Sequence, residues 1–204
     1  MNPTAIAFLK APTPGLVKTR IARQLGDLAA TAIYRTLAEE KWHRIPSDWH
    51  AEVFFTPPAA EGGKRGWLGG RGIFRAQSKG DLGARLMAGF AAAFQRGGAP
   101  VIAINGDCPE LDGACLEEAR AALNDADVVL GPAVDGGYYL IGLSRPTPEL
   151  FSDIPWRSPE ARAAQLRCRM LGVKADIDNG NSWARCHARF SGLRHSTIPL
   201  ACRA

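Results

Sequence analysis

Lys10, Lys18 and Arg20 fall within one short string, KAPTPGLVKTR (residues 10–20), directly behind the apolar run at residues 5–9. Clustered cations of this kind suit a polyanion. An apolar run of that length reads as a buried strand, and Val17, Ile21, Leu25, Leu28 and Ala32 follow at helical spacing, so the unit is strand, loop, helix. Helix N-termini carry free N–H groups and partial positive charge, so the three cations and the backbone of a loop shaped by Pro12 and Gly15 would converge on phosphate. The GxxxxGK[ST] spacing of a P-loop is absent, and a solvated basic turn contains the same residues.

Carboxylates supply the complementary chemistry. Asp107 follows the apolar run at residues 101–104 within NGDCP, where Gly106 and Pro109 favour a tight turn. A carboxylate fixed at a sheet edge suits Mg²⁺ or Mn²⁺, hard ions that take one or two protein carboxylates and complete their shell with phosphate and water. An aspartate that only caps a turn has the same local sequence. Asp135 precedes Gly136 and Gly137, where ligand and backbone can approach closely, although a plain hairpin also uses Asp-Gly-Gly.

The rest of the chain must position these groups. Its 204 residues fit one domain spanning residues 1–204, large enough for a core of its own. Residues 52–56, 73–76, 101–104, 127–130 and 138–143 read as strands. Asp81 reads as the N-cap of a helix carrying Leu82, Leu86, Phe90 and Phe94, ended by Gly97-Gly98. Asp112 caps another with Leu116, Ala119 and Leu123 on one side, and residues 159–171 read as a last helix. Strands alternating with helices predict an α/β sandwich with a mainly parallel sheet, whose ligands bind beyond the strand C-termini.

Five cysteines, odd in number and without CxxC spacing, read as reduced thiols of a cytoplasmic protein, and no leader or membrane-spanning segment is expected. The net charge of +5 is partly carried by Arg185, Arg189, Arg194 and Arg203, with His187 and His195 nearby; it suits small anionic substrates, and no nucleic-acid motif or membrane partner is indicated.

The strings FLKAPTPGLVKTRIARQLG, QSKGDLGARL, NGDCPEL, LGPAVDGGYYLIGL and ADIDNGN occur in the order and spacing of a family that the chain resembles. It comprises small bacterial GT-A-fold glycosyltransferase-like proteins, formerly a domain of unknown function, related to phospholactate and molybdenum-cofactor guanylyltransferases. The resemblance covers residues 6–181. It implies a nucleotide-diphospho-sugar transferase fold, a three-layer α/β sandwich with the donor over the N-terminal half and the acceptor over the C-terminal half.

Carried over residue by residue, the resemblance implies a donor-phosphate loop at Lys10, Lys18 and Arg20 and a base or ribose contact at Gln77, Gly80 and Asp81. It implies Mg²⁺ or Mn²⁺ on Asp107 and Asp178, and an acceptor near Asp135, Gly136, Gly137, Tyr138 and Trp156, with Asp135 as base. The function so implied is metal-dependent glycosyl transfer from a nucleoside-diphosphate sugar to a small-molecule acceptor. The alternatives are nucleotidyl transfer from an NTP to a phosphorylated acceptor, releasing pyrophosphate, and a noncatalytic nucleotide-binding descendant. Two departures stand out. Asn105-Gly106 replaces the family's Gly-Thr or Gly-Ser before Asp-Cys-Pro, and Asn179-Gly180-Asn181-Ser182 replaces Thr-Pro-Glu-Asp after Asp178.

Overall fold

Seven strands form one sheet in the order β3-β2-β1-β4-β6-β5-β7 in the computed structural model, which describes residues 2–57, 67–151 and 166–189. In chain order the elements are β1 (Thr4–Lys10), α1 (Thr19–Leu25), α2 (Asp27–Arg44), β2 (His50–Thr56), β3 (Ile73–Ala76) and α3 (Leu82–Gln95). There follow β4 (Val101–Ile104), α4 (Gly113–Ala122), β5 (Val128–Pro132), β6 (Tyr138–Leu143), a 3₁₀ turn (Pro148–Phe151), β7 (Cys168–Met170) and α5 (Gly180–Arg189). Strands β3, β2, β1 and β4 run parallel, while β6 is inserted antiparallel between β4 and β5.

Both faces of β1 are apolar, which fits a strand at the centre of a covered parallel sheet. Ala5, Ala7 and Leu9 pack with Trp42 of α2 and Leu116 of α4 on one face; Ile6 and Phe8 pack with Leu86 and Phe90 of α3 on the other. Asp81 caps α3 by accepting the Ala84 N–H at 2.8 Å, and Asp112 caps α4 by accepting the Cys115 N–H at 2.9 Å, as the sequence predicts.

Two expectations are corrected. The apolar positions from Val17 to Ala32 do not form one helical face: Gly26, at φ 83°, separates α1 from α2 and re-aims the chain. Val17 and Ile21 are buried, but Leu28 is 75% exposed, and α2 instead buries Ala30, Ile33, Tyr34 and Leu37. The helix expected over residues 159–171 does not extend to its end, because Cys168–Met170 is a strand paired parallel with β5, whose outer edge would otherwise lack hydrogen-bond partners. Residues 159–165, like Trp156, Arg194, His195, Cys202 and Arg203, lie outside the described residues. Cys108, Cys115 and Cys168 are free thiols, and among the described residues no helix is long and apolar enough to cross a membrane.

Candidate functional site

The C-terminal ends of β1 and β4 meet the segment carrying Asp176 and Asp178, and their side chains form one charged cluster. Asn105 organises it. Its side-chain oxygen accepts the N–H groups of Asp107 and Cys108, each at 3.2 Å, which fixes the turn that presents the Asp107 carboxylate. Its amide nitrogen donates to Asp176 Oδ2 at 3.0 Å, and the Ile177 N–H donates to the Asp107 carbonyl at 3.0 Å. The substitution at position 105 therefore ties the Asp107 turn to the Asp176–Asp178 segment. From the far side of the turn, Lys41 Nζ and Arg44 Nη1 of α2 donate to the Pro109 carbonyl at 3.1 and 2.8 Å.

Lys18 lies at the centre of the cluster. Its Nζ is 3.0 Å from Asp107 Oδ1 and 3.8 Å from Asp178 Oδ1, and it donates to the Ile177 carbonyl. The side chain is 7% exposed, which corrects the sequence-based picture of Lys18 as an exposed loop cation like its neighbours. Lys10 and Arg20 are exposed, as expected. Tyr34 supports the loop at its base, where the phenol hydroxyl accepts the Lys10 N–H at 2.8 Å and donates to the Lys10 carbonyl at 3.1 Å.

Alternation along the extended string Asp176-Ile177-Asp178 points successive side chains to opposite sides. Ile177 is buried with Ile21, Ile33 and Trp183, while both carboxylates face the Asp107 turn. The altered string after Asp178 has a local role. Asn179 Oδ1 accepts the Ser182 N–H at 2.9 Å, and Ser182 Oγ accepts the N–H groups of Asp178 and Asn179 at 3.0 and 3.1 Å. This reciprocal cap starts α5 and anchors the segment, leaving the Asp178 carboxylate in the cluster.

Burial pushes Asp176 up to about 7, aided by the charges of Asp107 and Asp135 and opposed by the Asn105 amide. Its second oxygen, Oδ1, is buried without a hydrogen-bond partner. Cys108 is pushed up to about 12, first by burial and then by the Asp176 charge, so it is a neutral thiol rather than a nucleophile.

The remaining predicted site residues divide. Asp135 is exposed, and its Oδ1 accepts the Gly137 N–H at 2.9 Å within a turn that needs Gly136 at φ 87°. Gly131, in the same string, lets the Tyr139 ring approach so closely that a Cβ there would lie 2.5 Å from it. Gly137 and Tyr138 line a cleft of about 250 Å³, otherwise mainly apolar, with Phe8, Leu82, Leu86 and Ile104. The amide nitrogen of Gln77 donates to the Leu9 and Phe54 carbonyls at 3.2 and 3.0 Å, so it holds the ends of β1 and β2 together. Asp81 uses one carboxylate oxygen as a helix cap beside Gly80, which adopts φ 108°. Sequence reasoning gave no site role to Asn105, Lys41 or Tyr34; it placed the Asp176 carboxylate on the same side as that of Asp178 without assigning it a role in the site.

Among the described residues no three His, Cys, Asp or Glu side chains converge as a ready-made metal cage. The chemistry of the donor set fits a hard divalent ion in the two-carboxylate manner: Asp107 and Asp178 both approach the Lys18 ammonium, at 3.0 and 3.8 Å, and the orphaned oxygen of Asp176 belongs to the same acidic cluster.

A family model described as "Uncharacterized protein conserved in bacteria (DUF2064)" matches residues 44–158. A provisionally named nucleotide-diphospho-sugar transferase from Desulfovibrio desulfuricans G20 superposes with a TM-score of 0.86 at 29% identity, covering 100% of this chain and 95% of that one. The 4-diphosphocytidyl-2C-methyl-D-erythritol synthase of Anaerococcus prevotii DSM 20548 has TM-score 0.64 at 10% identity, covering 93% and 96%. Rv0371c of Mycobacterium tuberculosis H37Rv, in complex with manganese, has TM-score 0.54 at 14% identity, covering 91% and 97%. The last two show the fold alone. No protein of curated function matches the sequence.

Proposed function

This chain belongs to the DUF2064 family, and from that premise and the acidic cluster we propose that it is a metal-dependent glycosyltransferase using a nucleoside-diphosphate sugar and a small-molecule acceptor. The observation that carries the reading is the approach of the Asp107 and Asp178 carboxylates to one cationic point, 3.0 and 3.8 Å from it, beside the exposed cations of the loop. Asp107 and Asp178 would hold Mg²⁺ or Mn²⁺, and the manganese complex of Rv0371c supports a divalent ion on this fold. Such an ion, when bound, supplies positive charge opposite a departing diphosphate. Lys10 and Arg20 reach the diphosphate oxygens from the loop and stabilise the charge that grows there. Asp135, oriented by the Gly137 N–H, accepts the proton of an acceptor hydroxyl placed at the mouth of the cleft that Tyr138 lines.

Nucleotidyl transfer is the second reading, favoured by the fold shared with the diphosphocytidyl-methylerythritol synthase. The same cations would then face an NTP, and the acceptor phosphate would attack the α-phosphate. Incubation with labelled NDP-sugars and NTPs in Mn²⁺ separates the two. Release of NDP supports glycosyl transfer; release of pyrophosphate supports nucleotidyl transfer. Tight nucleotide binding with neither product supports a noncatalytic binding protein.

A further inference from the structure

Lys18 differs from the other loop cations in burial and in backbone conformation. Lys10 and Arg20 are exposed, whereas the Lys18 side chain is 7% exposed and turned away from the loop surface into the carboxylates. It is also the residue that, among those described, combines a side chain with a positive φ, at 47°, outside the conformations favoured by L-residues. Backbone strain of this kind persists where the surroundings hold it, and here the surroundings are charged. An ammonium has three N–H donors. Those of Lys18 face three oxygens, Asp107 Oδ1, Asp178 Oδ1 and the Ile177 carbonyl. Carboxylate and carbonyl oxygens are also the ligands that Mg²⁺ and Mn²⁺ select.

We propose that Lys18 is the resident counter-ion of the Asp107 and Asp178 pair, holding the position that a divalent cation takes over, so that the cation binds only as the ammonium leaves. The inference rests on the reading of these two aspartates as the metal pair. A divalent ion and an ammonium on the same two oxygens would repel each other at contact distance, in a partly buried setting where the repulsion is poorly screened. Lys18 therefore sets the affinity of the site for the metal alone and becomes available to a phosphate once displaced.

Two measurements test this. In EDTA, the melting temperatures of wild type, Lys18→Met, Asp178→Asn and the double variant form a cycle. Lys18→Met should destabilise, and Asp178→Asn should recover part of that loss; additive effects would overturn the counter-ion role. Titrated with Mn²⁺ alone, Lys18→Met should bind the ion about tenfold or more tightly than wild type, while Lys18→Arg, which keeps the charge, should not. Equal or weaker binding by Lys18→Met would overturn the competition. Should Lys18→Met fail to fold, the wild-type protein serves. Acetylation of Lys18 by N-hydroxysuccinimidyl acetate, followed by mass spectrometry with Lys10 as the exposed reference, should be slow in EDTA and accelerate with Mn²⁺. An unchanged rate would overturn the proposal. If Mn²⁺ binds neither protein while the EDTA cycle stays coupled, the metal reading of the site and the competition both fall, and the counter-ion role stands.

Discussion

Asp176→Asn gives a stability change whose size and pH dependence follow from the geometry. Asp176 ionises at about 7 in the folded chain against an ordinary 3.8, because burial and the charges of Asp107 and Asp135 outweigh the single donor from Asn105. Below pH 3.8 both the folded and unfolded states carry the proton, and the group's full contribution to stability is present. As the pH rises, the unfolded chain releases the proton first, so stability falls by up to about 1.4 kcal/mol per pH unit until the folded-state value is passed. The accumulated loss by pH 8 is at most about 4 kcal/mol. Asparagine at 176 keeps an oxygen to accept from Asn105 and cannot ionise. Urea unfolding in EDTA, run from pH 4 to 8 on wild type and Asp176→Asn, should therefore give curves that diverge, the wild type losing stability relative to the variant as pH rises. Parallel curves would refute the reasoning.

Three further outcomes are expected. Asn105→Ala removes the acceptor for two N–H groups and the donor to Asp176, and should cost about 1–3 kcal/mol in chemical unfolding while also weakening metal binding by calorimetry. Glu52→Ala in β2 removes the buried carboxylate that Arg96 and Arg75 share and should cost about 1–3 kcal/mol with nucleotide affinity unchanged, since both arginines reach solvent and the group sits away from the acidic cluster; an affinity loss without destabilisation would contradict this. Lys10→Ala and Arg20→Ala, at exposed positions, should each weaken nucleotide binding and leave the melting temperature nearly unchanged; a large drop in melting temperature with unaltered binding would make the loop structural.

Much of the fold was legible because it is written in local patterns. The runs at 73–76, 101–104 and 138–143 are strands with those bounds, and Asp81 and Asp112 cap helices as read, since apolar runs and capping residues act over a few neighbours. What was misread depends on tertiary context. Gly26 breaks a helical pattern that looks continuous in sequence, and β7 is a short, exposed edge strand whose identity comes from pairing with β5. In the site, Asp107 is offered as a candidate ligand by its strand-and-turn context, and Asp178 only by the family resemblance. The burial of Lys18 was not legible, because it depends on three segments meeting at one sheet edge, and the Asn105 bond to Asp176 spans 71 positions with no local trace.

The central claim, that Asp107 binds nucleotide through a divalent cation, is tested most directly by calorimetric titration of UDP- and GDP-linked ligands into wild type and Asp107→Asn, each in Mn²⁺ and in EDTA. Wild type should bind at least one of these ligands much more tightly in Mn²⁺ than in EDTA, because without the ion Lys18 stays engaged with Asp107 and Asp178 and no divalent charge bridges the carboxylates to the diphosphate, and Asp107→Asn should lose most of that difference. Equal affinity of the wild type in Mn²⁺ and EDTA, or a metal effect undiminished in Asp107→Asn, would contradict it.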